Sequence, residues 1–188
     1  MTAKSDGSGK LIQAMLCDAK VLLYFEKIKE SPMRIPDFEV SLSKLMLTSH
    51  VDKGVLLSRV TDADDFQRQI NLTSVLQRHL DGIAELNFSI ELFHRKWSEV
   101  YRHALKHLNT EYGDELNAYK DSTRTAIISA ALYPVEQGVE YLNHCRKLGD
   151  KIQTHLVNTG WTIKEVTGII REYFIQSRII TGLTNHTV

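Results

Sequence analysis

Six basic side chains fall within thirteen positions of this chain: Arg95, Lys96, Arg102, His103, Lys106 and His107, with Trp97 and Tyr101 among them. Cations of this kind contact phosphates, and aromatic rings stack on unpaired bases. The chemistry they suggest is recognition of a nucleic-acid strand. The competing reading is a solvated helix face with Trp97 turned into a core. Glu91, Glu99 and Glu111 dilute the positive charge and keep that reading open.

Other groups have the right types for chemistry but the wrong arrangement. Glu99, His103, His107 and Glu111 follow one another at steps of four. Carboxylate and imidazole are metal ligands, yet on one helix these four spread over about 18 Å. They read as alternating-sign helix pairs, and no metal is expected. Gly7-Ser8-Gly9-Lys10 has the end of a phosphate loop without its strand or its full spacing. Asp62, Asp64 and Asp65 lack the glycine and closing glutamate of a calcium loop and read as a helix start. There is no GxSxG, no HExxH and no complete glycine-rich loop. The expectation is a protein that binds and does not catalyse, with no cofactor.

The elements that must carry these residues are helical. Residues 1–9 read as a polar tail. Leu11, Met15, Leu22 and Phe25 give a helix over 10–30, ended by the prolines at 32 and 36. Asp37 caps a shorter helix to about Ser49, and 55–60 is an apolar stretch of either type. After the acidic cluster come Leu72, Leu76, Ile83, Leu86, Ile90, Phe93, Trp97, Val100 and Ala104 at alternating steps of four and three, interrupted only by His79. This pattern demands one long helix, to about Tyr112. Ile70, Leu80, Phe88, Leu92 and Leu108 lie off that seam, so the buried face should be wider than a two-helix seam. A helix from Asp114 to about Leu132 follows, then one from Pro134 to about Asn158. Gly160 reads as a stop, Thr162-x-x-Glu165 as a capping box, and Trp161 with Val166 as its staple, opening a final helix to about Arg178.

The bounds agree with this. The chain has 188 residues, 43% hydrophobic and 24% charged, enough for a packed core. Formal net charge is zero, so any basic surface must arise locally. Cys17 and Cys145 have no metal or redox spacing and read as buried, reduced thiols. No apolar run suits a leader or a membrane span, so the expected location is the cytoplasm. The fold class expected is all-α, a helical bundle with one long central helix that assembles into a homo-oligomer. The expected divisions are a tail at 1–9, an N-terminal helical extension at 10–60, a main helical domain at 61–180 and a tail at 181–188.

One family resemblance adds to this reading. Tyr119-Lys120-Asp121-Ser122, then Ile127-Ile128-Ser129-Ala130, Leu142-x-x-Cys145 and Gly160-Trp161-Thr162-Ile163-Lys164-Glu165-Val166 together resemble the UvsY recombination mediators of T-even-like bacteriophages. The match lies in the C-terminal half, with a short gap near residues 131–134, and leaves 10–60 unexplained. The resemblance implies a ring-like homo-oligomer that binds single-stranded DNA. Such a protein helps load a recombinase onto strands coated by single-strand-binding protein, in the host cytoplasm. It implies DNA contacts at Arg95, Lys96, Arg102 and Lys106, and oligomerisation through Ile163, Val166, Ile170 and Phe174. The alternative is a helical structural or adaptor protein that assembles and holds protein partners without DNA.

Overall fold

A computed structural model describes residues 3–30, 32–46 and 63–184, with side-chain surroundings for 7–30, 32–45, 72–173, 175 and 176. The described residues form seven helices and no strand, an all-α protein. The expected apolar stretch at 55–60 and the residues beyond 184 lie outside them.

The first expected helix is two. α1 (Ala3–Leu16) and α2 (Ala19–Lys29) meet at Asp18, whose extended backbone (φ −63°, ψ 129°) breaks the helix. Its Oδ1 accepts the Lys20 and Val21 amides at 2.9 and 3.1 Å, the bonds of an N-cap. Contrary to the expected tail at 1–9, α1 begins at Ala3. A Cβ on Gly7 would stand 3.0 Å from the Tyr119 hydroxyl, so this turn packs on the rest of the chain. α2 ends at an extended Glu30 ahead of the prolines, and α3 (Phe38–Met46) starts one residue after Asp37.

Two very long helices follow. α4 (Ala63–Glu111) holds most of the seam read from the sequence, with Leu76, Ile83, Ile90, Trp97, Val100 and Ala104 buried, Leu86 and Phe93 half-buried, and Leu72 exposed. Of the residues that implied a wider face, Leu108 is buried and Leu80 half-buried, Phe88 and Leu92 are 73% and 43% exposed, and the Ile70 side chain lies outside the described set. After the short α5 (Gly113–Asn117) and α6 (Asp121–Ala131), α7 (Tyr133–Thr184) runs 52 residues without a break.

The continuity of α7 overturns the stop at Gly160 and the capping box at Thr162. Thr159 and Thr162 hydroxyls donate instead to the carbonyls of His155 and Asn158, one turn back. Ile152, Leu156, Ile163, Val166 and Ile170 form one buried stripe across the glycine. Each such burial is worth about 1.5–3 kcal/mol, against about 1 kcal/mol for glycine inside a helix. The glycines have another use. A Cβ on Gly138 would stand 2.0 Å from the Trp97 ring, and one on Gly149 2.0 Å from Asn87 Oδ1. Gly160 faces Leu76 in the same way, eleven positions further on. Eleven residues make almost three straight turns, so these glycines seat α4 side chains along one line of α7.

The chain divides into two units, and the expected boundary at residue 60 lies outside the described residues. Unit 1 is Met1–Phe38 with Phe88–Lys147, and unit 2 is Glu39–Asn87 with Leu148–Val188. Both long helices contribute to both. Unit 1 closes on Met15, Val21, Ala104, Leu108, Leu116, Ile127, Ile128, Ala131 and Leu132. In it the Trp97 indole donates to the Met33 carbonyl at 2.8 Å, and Phe38 meets Phe93 edge-on at 5.7 Å. Unit 2 buries Leu42, Leu76 and Ile83 along with the α7 stripe.

Candidate nucleic-acid interface

The seam of α4 fixes which of its residues face water. With Ile90, Trp97, Ala104 and Leu108 turned inward, the outer line of a 3.6-residue helix runs through Phe88, Arg95, Glu99, Arg102 and Lys106. All five are exposed. Arg95 to Lys106 span about 16 Å along the axis. Side chains of Arg102 and Lys106 make no hydrogen bond or ion pair among the described residues. Phe88 ends the line as an exposed aromatic ring, 73% accessible.

Acids temper this edge. Arg95 Nε donates to Glu91 Oε1 at 3.3 Å, and Arg146 approaches Glu91 Oε2 at 3.6 Å. The hydrogen bond from Arg95 holds the Glu91 carboxyl below its ordinary value, against a small rise from burial and with help from the Arg146 charge. Glu91 is therefore a carboxylate at neutral pH and offsets one cation of the edge.

Lys96 leaves the set. It lies about 100° round the helix from Arg95, with Nζ 5.8 Å from the Phe93 ring. It lines a groove of about 310 Å³ in unit 1 with Tyr24, Met33, Glu99, Val100 and His103. The aromatics expected to stack on bases are also elsewhere. Trp97 is 6% exposed, and Tyr101 is half-buried, its hydroxyl pushed up by burial and by the Glu136 charge. Phe88 takes that place. Its position in line with Arg95 and Arg102 at steps of seven is legible, but it reads as core because it is apolar.

The Glu–His ladder separates too. His107 turns inward, its Nε2 donating to Asp18 Oδ1 at 2.9 Å, while Glu99, His103 and Glu111 face solvent. Tyr112 donates to Asp18 Oδ2 at 3.3 Å. Burial raises the Asp18 pKa, but the Val21 amide and His107, with the Lys20 amide, outweigh it and leave the pKa below the ordinary carboxylate value. Burial and the Asp18 charge push the Tyr112 hydroxyl up. This cluster ties the α1–α2 joint to α4. Among the described residues no three His, Cys, Asp or Glu side chains are placed to hold a metal ion.

Three of the four residues assigned to oligomerisation are already covered within the chain. Ile163, Val166 and Ile170 are 2%, 0% and 6% exposed, packed inside their own unit. Phe174 has its backbone in α7, and its side chain lies outside the described set. Ile127, Ile128 and Cys145 of the resemblance are likewise core, whereas Cys17, also expected to be buried, is exposed. No family model, curated protein or solved structure matches the chain. No helix among the described residues is long and apolar enough to cross a membrane.

Proposed function

We propose that this chain is a non-catalytic, self-associating protein that binds single-stranded DNA along the outer edge of α4, and that it acts as a recombination mediator in the cytoplasm. In that role it helps load a recombinase onto DNA coated by single-strand-binding protein. The observation that carries the binding is the line of Arg95, Arg102 and Lys106 with Phe88 at its end, all exposed on one side of one helix. Three cations along about 16 Å follow an extended phosphate backbone, and an exposed ring stacks on any base. The mediator role rests on the resemblance of residues 119–166. Self-association would multiply a modest edge by effective concentration, which a chain of zero net charge needs.

The test is a salt titration of oligonucleotide binding by fluorescence anisotropy. With three phosphate contacts per chain, log K should fall against log salt with a slope of about −2. R102E with K106E should abolish most binding at every salt concentration and leave the circular dichroism unchanged. Unaltered binding by that double variant excludes this edge. A second reading, a protein adaptor, draws on the convergence of Arg95 and Arg146 on Glu91, which neutralises part of the edge. It predicts indifference to DNA at low salt.

A further inference from the structure

Unit 2 carries an apolar strip with no cover among the described residues, on the side of α7 away from its core. Trp161 stands diametrically opposite the mean direction of Ile152, Leu156, Ile163, Val166 and Ile170 and is 67% exposed. Val157, Gly168 and Ile175 lie within about 40° of it on a 3.6-residue helix. Val157 and Ile175 are 41% and 50% exposed, and the space beside Gly168 is open. Leaving a tryptophan, a valine and an isoleucine partly in water along about five turns forgoes roughly half of the 1.5–3 kcal/mol that full burial of each Val or Ile side chain is worth.

The charges beside the strip are sorted by sign. Lys164 and Arg171 border it on one flank, and Glu165 and Glu172 on the other, all four exposed. The pair Lys-Glu at 164–165 thus repeats as Arg-Glu seven residues later, the spacing at which a helix returns to the same side of a seam. Lys164 Nζ also lies 5.4 Å from the Trp161 ring centroid, on the edge of the strip.

Such a layout is self-complementary in one orientation only. A second α7 running parallel, related by a two-fold axis along the helices, sets the basic flank of each copy against the acidic flank of the other. Lys164 then meets the second copy's Glu165, and Arg171 meets its Glu172, at matching heights. An antiparallel copy would set glutamate against glutamate and lysine against arginine, which like charge disfavours. Gly168, without a Cβ, lets the two backbones draw together between the two charged levels. We infer that the outer face of α7 is a parallel homodimer interface, centred on Trp161, Gly168 and Ile175 and kept in register by Lys164–Glu165 and Arg171–Glu172 pairs between copies. The inference deepens the self-association proposed above and rests on it. It moves assembly to the side of α7 opposite the buried Ile163, Val166 and Ile170.

The experiment is sedimentation of the full-length protein at micromolar concentration. Wild type should run at twice the chain mass. K164E with R171E makes both flanks acidic, E165K with E172K makes both basic, and each variant alone should fall to the chain mass with its helicity unchanged. An equimolar mixture of the two should recover the double mass. Trp161→Ala should weaken association at least tenfold. The chain with all four charges exchanged should pair with itself and fail to mix with wild type; mixing would overturn the parallel arrangement. A monomeric wild type, or charge variants that keep the wild-type mass, would overturn the interface. DNA binding on the same samples separates the two proposals. A monomer that still binds DNA sinks the interface together with the self-association it rests on and leaves the DNA edge standing, whereas a dimer that ignores DNA sinks the DNA edge alone.

Discussion

Asp18 shows how one side chain holds several elements. Its Oδ1 accepts two amides of α2 and the His107 imidazole, and its Oδ2 accepts the Tyr112 hydroxyl. Asp18→Ala removes a helix cap and the acceptor of the half-buried His107, leaving Tyr112 only the Ala14 carbonyl at 3.4 Å, so it should cost about 1–3 kcal/mol in urea unfolding. The pH dependence has a definite sign. The folded Asp18 pKa lies below its unfolded value, so its contribution is present above the unfolded value and disappears as pH falls through the folded one. Stability measured from neutral pH downward should fall in the acid range for wild type and fall less for Asp18→Ala. An equal acid slope in both proteins would contradict this. The stripe Leu11, Met15, Leu22 and Phe25 reads as one helix running through Asp18. Its partners at positions 107 and 112 lie far along the chain, where no local pattern could name them.

At the scale of the element, the long helices are governed by packing more than by local signals. The four-three pattern of α4 is legible because burial on one side forces that spacing. Gly160 and Thr162 carry every local mark of a helix end, yet the stripe from Ile152 to Ile170 continues through them. Glycine in α7 thus has a steric role, which substitution can test. Gly138→Ala drives a methyl into the Trp97 ring and should lower stability by about 1–3 kcal/mol. Gly9→Ala meets nothing within 4 Å and should raise it by about 0.5–1 kcal/mol, the helix preference of alanine. Thermal unfolding followed by circular dichroism distinguishes them. Similar shifts of one sign would mean that Gly138 is no seat.

For the whole molecule, the two units are separate cores threaded by the same two helices. Leu142 lies in the core of one and Leu156 in the core of the other, both almost wholly buried. Truncating either to alanine should cost about 2–5 kcal/mol. Since α4 and α7 are continuous through both units, each change should shift a single cooperative transition. A biphasic curve for Leu156→Ala alone would show that unit 2 unfolds independently. The DNA edge lies in unit 1 and the sorted strip in unit 2, so variants of the one should leave the other working.

Composition and apolar spacing by themselves determined the helical class, the long central helix and the inward turn of Ile83, Ile90 and Ala104, because periodicity is a local property that burial must obey. They also placed Arg95, Arg102 and Lys106 on one side of one helix, since steps of seven and four return to the same line. Only the tertiary structure decided that Phe88 faces water, that Lys96 turns into a groove, that His107 is taken by Asp18 and that Ile163, Val166 and Ile170 are already covered. Each of these depends on which other segment arrives at that face, and contacts between distant residues leave no mark in the spacing of either one.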